Sequence, residues 1–224
     1  MNISSFPDKK YQVVVTGSGG GIGNAIASSF TNCFKIDRHN CDLSNEDEIK
    51  NIVKQLEIPV GVLINCAGVS LKGQYGDLDY WDKTFAVNVR AVYYLSSLVK
   101  DLMVDGGSII NITSIGAEQG FGNNPAYVAS KGALKMLTKA MAMDWGRLGI
   151  RVNNVCPGYI VSKMTYNSWI NPVKRKVRED RTTLKRWGIP SDIVGICKFL
   201  ASEEASYITG TDIVVDGGWL SKGV

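Results

Sequence analysis

Six short stretches of the chain are almost continuously apolar and β-branched: YQVVVTG (11–17), CFKID (33–37), VGVLINCAG (60–68), GGSIINITS (106–114), IRVNNVCPG (150–158) and TDIVVDGG (211–218). They lack the in–out alternation of a strand with one wet face. Such strands fit a parallel sheet covered on both sides. Segments of helical pattern separate them: IGNAIASSF (22–30), EDEIKNIVKQL (46–56), a long helix over 78–103, another from Pro125 to about Leu148, and SDIVGICKFLAS (191–202). Repeated strand–helix–strand order predicts a doubly wound, Rossmann-like α/β fold in a single domain over residues 1–224. Ser44 is the expected N-cap of the 46–56 helix, with Asp47 three residues on. The one long stretch outside this rhythm is about 159–189.

Composition narrows the function classes. At 224 residues the chain has the length of one domain with a sizeable core. A net charge of +4 is too weak to imply a nucleic-acid partner. The five cysteines, at 33, 41, 66, 156 and 197, are odd in number and lack CxxC spacing. They read as reduced thiols of an intracellular protein rather than a disulfide framework or a zinc site. His39 is the only histidine, which excludes a Ser-His-Asp hydrolase and a His-rich metal centre, and no metal is expected. The first residues show no long apolar run ending in a cleavage site. No stretch approaches the roughly 18 apolar residues of a membrane span. The expected location is the cytoplasm.

The stretch VVVTGSGGGIGNAIA (13–27) joins the first strand to the first helix. Gly17, Gly21 and Gly23 allow a tight turn and a close backbone approach to a pyrophosphate at a helix N-terminus. Asp37 ends the second strand, 14 residues after Gly23, where a carboxylate can accept hydrogen bonds from an adenosine ribose. It would repel a 2′-phosphate and so favours NAD. Arg38 follows at once and could serve that phosphate, which keeps NADP as the alternative.

In PAYVASKGALK (125–135), Tyr127 and Lys131 stand four apart and share one helix face. Alone, the pair is equally an ordinary helix start. The chain as a whole, however, resembles the short-chain dehydrogenases/reductases, in their compact single-domain branch. TGSGGGIG (16–23) matches that branch's glycine loop, with Ser18 and Ile22 inside it. CDLS (41–44) is similar to the pair that touches adenine, here Asp42 and Leu43. NCAG (65–68) is similar to the family's Asn-Asn-Ala-Gly element after the fourth strand, with Cys66 in place of the second Asn and Asn65, Ala67 and Gly68 retained. Asn88, Ser114, Tyr127 and Lys131 match the family tetrad, and the 13-residue step from Ser114 to Tyr127 is typical. PGYIVS (157–162) is similar to the Pro-Gly segment past the sixth strand, which implies cofactor contacts from Pro157, Gly158, Ile160 and Ser162.

The resemblance implies roles. Tyr127 would be the general acid/base of a hydride transfer between a secondary alcohol and a ketone. A free phenol near pKa 10 is a poor base, and the Lys131 ammonium with the positive nicotinamide would lower it. Lys131 would also hold the nicotinamide ribose. Ser114 would orient the reacting oxygen, and Asn88 would anchor a water leading from Lys131 to solvent. The family also implies a homotetramer or homodimer formed through the two long helices; Phe85, Val92, Leu95, Leu134 and Leu137 fit such an interface and fit ordinary burial on the sheet equally well.

Two departures stand out. RHNC replaces a usual helix between Asp37 and Asp42, so one flanking helix should be missing or reduced to a turn. The 159–189 segment, where the family places its variable substrate lid, carries Lys163, Lys174, Arg175, Lys176, Arg178, Arg181, Lys185 and Arg186 against Glu179 and Asp180. Those charges fit an anionic substrate (keto sugar, nucleotide sugar or carrier-bound acyl group), or a solvated helix face. Tyr166, Trp169 and Trp187 could line a pocket or pack the lid down. Tyr166 stands where β-ketoacyl reductases of this family carry an Arg, which weakens a fatty-acid reading. The competing classes are a redox-silent cofactor-binding or scaffold protein of the same fold and an epimerase or dehydratase. The intact tetrad argues against the first, and the glycine spacing and lack of a C-terminal substrate domain against the second.

Overall fold

The computed structural model describes residues 11–56 and 59–221. Six strands, β1 (Gln12–Thr16), β2 (Cys33–Ile36), β3 (Val60–Asn65), β4 (Met103–Ile112), β5 (Arg151–Pro157) and β6 (Asp212–Val215), form one sheet in the order β2-β1-β3-β4-β5-β6. Every pairing is parallel. Strand order reverses between β1 and β3, the place where open α/β sheets bind ligands beyond their carboxyl ends.

Alternation along β1 distributes the core. Val13 and Val15 point into a cluster with Ile26 of α1 (Gly21–Ala27) and Ile193, Cys197 and Leu200 of α8 (Ser191–Ala201). Val14, on the other face, joins Ile49 and Ile52 of α2 (Glu46–Val53), Leu95 and Val99 of α4 (Ala91–Val99) and Met141 of α5 (Pro125–Trp145). Both faces are dry, which is why the strands read as unbroken apolar runs.

Four local features test these expectations. The N-cap of α2 is Asn45, whose side chain accepts from Asp47 and Glu48 N–H. Ser44 is already engaged, its N–H and hydroxyl both donating to Asp42 Oδ1 at 2.8 Å. The expected continuous helix over 78–103 is divided. α3 (Leu78–Phe85) passes through a π-helical turn, Ala86–Arg90, into α4. Between β2 and α2 the chain makes only a turn, as the short RHNC segment implied, with Cys41 N–H donating to Asp37 O at 2.9 Å. In this sheet NCAG follows the third strand and PGYIVS the fifth. Finally, Val92, Leu95 and Leu134 are buried within the chain and cannot meet a second copy. Only Phe85 and Leu137 reach the surface.

The 159–189 segment folds as α6 (Tyr166–Trp169) and α7 (Pro172–Arg181). Among the described residues, no helix is long and apolar enough to cross a membrane.

Candidate active site

The glycine loop leaves β1 through Gly17, whose φ of +69° suits glycine and whose Cβ, if present, would stand 2.8 Å from Ala67 Cα. Gly23 packs on the Gly17 carbonyl so closely that a side chain would collide with it. Thr16 fastens this turn to the one after β3. Its Oγ1 accepts from the N–H groups of Cys66 and Ala67, each at 3.0 Å. The result is a cradle of bare backbone at the start of α1, and its shape fits a dinucleotide pyrophosphate. Asp37 overhangs it from the end of β2, with Oδ2 3.1 Å from the position a Gly19 Cβ would take. Asp37 Oδ1 accepts from His39 N–H at 2.8 Å, which fixes the carboxylate. Ser162 closes the opposite side, its Cβ 3.3 Å from the Cβ position of Gly21.

A second set of groups converges beside the cradle. Pro125 opens α5, and the preceding Asn124 is held between Tyr80 and Ser70. Tyr80 Oη donates to Asn124 Oδ1 at 2.8 Å, and Asn124 Nδ2 donates to Ser70 Oγ at 2.7 Å. This clamp fixes the first turn of α5 and with it Tyr127. One turn on, Lys131 is only 4% exposed. Its Nζ donates to Ile112 O at the end of β4, at 2.8 Å, and lies 5.8 Å from the centre of the Tyr127 ring. Ser114, two residues past Ile112, hydrogen-bonds the Tyr127 side chain, and its Oγ accepts from Gly116 N–H at 3.0 Å.

Burial governs the protonation of these groups. It pushes the Lys131 ammonium down to about 8, against a smaller opposing influence of the Cys66 and Cys156 thiols. It pushes the Tyr127 phenol above its ordinary value, and the Ser114 hydrogen bond offsets only part of this. The lowering expected from Lys131 together with a positive nicotinamide concerns the cofactor-bound protein, whereas in the free protein burial is the larger influence on the phenol. Burial also pushes the Cys66 thiol up to about 12, so it stays a neutral neighbour.

The chain matches the family model described as enoyl-(acyl carrier protein) reductase over residues 6–220. This chain belongs to the short-chain dehydrogenase/reductase family. A curated relative, the 2-dehydro-3-deoxy-D-gluconate 5-dehydrogenase of Pseudoalteromonas atlantica, is 34% identical over 192 residues, covering 82% of this chain and 75% of the relative. A 4-hydroxyisoleucine dehydrogenase complexed with NADH superposes with a TM-score of 0.90 at 31% identity, over 96% of this chain and 100% of that one. A gluconate 5-dehydrogenase from Burkholderia cenocepacia, in complex with NADP and tartrate, gives 0.87 at 25% identity and covers 96% of each chain.

Within this family member, the residues singled out from sequence fall into two groups. Gly17, Gly21, Gly23, Asp37, Ala67, Gly68, Ser114, Tyr127, Lys131 and Ser162 all lie in the segments that follow the carboxyl ends of β1 to β5. Gly68 bridges the halves, the position of its Cβ being 3.4 Å from both Asn88 Oδ1 and Lys131 Nζ. Others serve the frame. Ser18 Oγ donates to Ile36 O at 3.1 Å, away from the cradle opening. Asn65 Nδ2 donates to Asn111 of β4 and to Ser96 of α4. Asn88, buried in the π turn, donates from Nδ2 to Val69 O and Ser130 Oγ and accepts from Val69 N–H, at 2.8–2.9 Å. Its side chain thus ties the strand end to α5. Ile22 packs partly on the core, while Ile160 is buried in it beside Gly188. Gly158 sits against Asp216, with no room for a side chain. Asp42 spends its carboxylate on Ser44, which holds it below the usual carboxylate range. Leu43 lines a narrow crevice with Thr16 and Ala67, and Arg38 is exposed nearby.

Sequence reasoning did not single out Thr16, the Ile112 carbonyl or the Tyr80–Asn124 clamp. Thr16 stood within the glycine motif and was legible there. A backbone acceptor and a contact 44 residues apart leave no local signal.

Proposed function

We propose that this protein interconverts a secondary alcohol and a ketone on a small polyhydroxylated, anionic substrate, using NAD(H). The observation that carries this reading is the convergence of Ser114, Tyr127 and buried Lys131 beside the glycine cradle. Gly17, Gly21, Gly23 and Ala67 would hold the pyrophosphate, Asp37 the adenosine ribose, and Lys131 the nicotinamide ribose. Bound nicotinamide supplies the hydride in reduction and accepts it in oxidation. Tyr127 Oη gives its proton to the carbonyl oxygen in reduction and takes it from the hydroxyl in oxidation. Ser114 Oγ accepts from Gly116 N–H, and the proton it shares with Tyr127 in the free protein would turn to the substrate oxygen and orient it. Because burial raises the phenol, Tyr127 holds its proton until positive charge gathers beside it.

NAD is preferred over NADP because the Asp37 carboxylate overhangs the loop where a 2′-phosphate would lie. Arg38 is the only cation adjoining it in sequence. The substrate class follows the sugar-acid names of the relatives together with the basic 159–189 segment, which we read as the substrate lid. We read the α3–α4 and α5 surface as a homo-oligomer contact. Phe85, Val89, Tyr93 and Leu137 line a shallow groove of about 550 Å³ there. Five free cysteines accord with a reducing, cytoplasmic location.

An absorbance screen with NADH and NADPH tests the assignment against sugar acids, neutral ketoses and β-ketoacyl thioesters. Turnover with NADH is the expected result. Turnover with NADPH alone would give Arg38 the deciding role over Asp37. Binding of NADH without turnover of any carbonyl would overturn the reading in favour of a redox-silent protein.

A further inference from the structure

We propose that Arg178 recognises a carboxylate at the end of the substrate remote from the reacting carbon, and so selects sugar acids over neutral polyols. This inference rests on the oxidoreductase reading above. Besides Arg178, four of the eight lid cations are engaged by carboxylate or carbonyl oxygens. Arg175 pairs with Glu179 at 2.8 Å, Lys176 with Asp180 at 2.7 Å, and Arg186 with both oxygens of Asp192 at 2.7 and 2.9 Å. Lys185 Nζ donates to Asp180 O at 2.6 Å. Arg178 is placed differently. Its Cζ lies 4.7 Å above the Tyr159 ring and 5.8 Å from Trp187. Nη1 donates to Lys174 O at 3.0 Å, while Nε is buried with no acceptor among the described residues.

Stacking holds a guanidinium by its face and leaves its N–H edges to choose a partner. Here one edge is engaged by the Lys174 carbonyl, and the Nε–Nη2 edge is left for a planar group with two acceptor oxygens. A carboxylate has that geometry and the complementary charge. A second donor flanks the same ring. Trp219 packs edge-on to Tyr159 at 4.7 Å, and its Nε1 is likewise buried without an acceptor. Arg181 adds positive charge from above, its Cζ 4.5 Å from the Trp219 ring. Buried donors with no partner are rare, and two around one tyrosine point to a shared acceptor.

The cluster also stands at the right place. Tyr159 follows the Pro157–Gly158 strand end and contacts Phe121 at 6.3 Å between ring centres. Phe121 in turn lies against Gly116, whose Cβ position is 3.4 Å from Ser114 Oγ. A wall of two rings therefore leads from the catalytic serine to Arg178. A substrate laid along it has its reacting carbon at Ser114 and Tyr127 and its carboxylate at Arg178.

D-gluconate and D-glucitol differ only in a carboxylate against a hydroxymethyl group, and they form the first probe pair. Shorter aldonates with their alditols extend the series. Initial rates with NAD⁺ are compared for the wild type, Arg178→Met and Arg178→Lys. Aldonates are expected to be preferred. Arg178→Met should raise KM for them about 10- to 150-fold, the usual weight of a charged hydrogen bond, with kcat nearly constant and alditol kinetics unmoved. Arg178→Lys should recover part of the loss, because charge returns without the planar fork. Tryptophan emission, followed as aldonate is added, should change in the wild type and not in Arg178→Met. An equal loss on aldonates and alditols with a lower Tm would overturn the proposal and make Arg178 a structural latch. Wild-type preference for alditols, or for a phosphorylated ketose, would also overturn it while leaving the oxidoreductase reading intact. Failure to turn over any alcohol or ketone would defeat that reading itself, and the emission titration would then decide the fate of Arg178 by itself.

Discussion

Two helices of this molecule, α5 and α7, treat their charges in opposite ways. α5 buries Ser130, Lys131, Leu134 and Thr138 and places its lysine where water is excluded. There, a single ammonium is shifted to about 8 and a phenol is raised. α7 has no buried residue, and its charges meet one another at i,i+4 spacing along the solvent face. Pairs of that kind contribute little and can be exchanged cheaply. On the proposed reading, proton chemistry sits where each charge is costly to bury, and substrate selection where charges are cheap to vary. Arg178 is the lid residue that crosses between the two regimes.

The largest effect is expected at Tyr127. Tyr127→Phe should lower kcat by about 10²- to 10⁴-fold, the weight of general acid–base catalysis, and leave NADH binding by fluorescence unchanged. A rate close to wild type would break the comparison, because α5 would then hold no essential proton.

Lys131→Met tests the buried side through stability. Below about pH 8, Lys131 is charged in both folded and unfolded chains, and its burial opposes folding. Between about 8 and the ordinary 10.5 the unfolded chain keeps a proton that the fold has shed. The stability of the wild type relative to the variant should therefore rise across that window, by on the order of 3 kcal/mol in total. The difference is the useful quantity, because burial raises the thiols of Cys33, Cys41, Cys66, Cys156 and Cys197 and makes absolute stability fall at high pH in both proteins. Urea unfolding at stepped pH measures it. A flat difference would mean that Lys131 is hydrated.

The smallest effect is expected at Lys176. Lys176→Ala removes an exposed pair with Asp180 and should leave Tm and all kinetic constants within error. A clear loss of sugar-acid turnover would show that the paired face of α7 meets substrate, and the contrast with α5 would weaken.

Much of this arrangement was legible in the sequence because it repeats a local rule. Val13, Val14 and Val15 read as one buried strand, and the sheet puts them on alternate faces between two helical layers. Gly17 and Gly23 read as a close backbone approach, and each is one. The i,i+4 spacing of Tyr127 and Lys131 put both on one face. What stayed hidden depends on competition or distance. Ser44 and Asn45 are both good caps, and Asp42 decides between them by taking Ser44. A π turn at Asn88 leaves the apolar pattern of the helix unbroken, so its single extra residue per turn has no sequence signal. Val92, Leu95 and Leu134 resemble interface residues until the sheet beneath them is seen. The Arg178–Tyr159–Trp219 cluster joins residues from three separate segments.

The central claim is that burial raises the Tyr127 phenol above its ordinary value in the free protein and that added positive charge lowers it. An ultraviolet difference titration of wild type against Tyr127→Phe isolates this phenol from the other eight among the nine tyrosines. It is run with and without NAD⁺. A midpoint above the ordinary 10.0 in the free protein, falling when NAD⁺ is added, is the expected result. A midpoint at or below 10.0 in the free protein, or one that NAD⁺ does not move, would contradict the account.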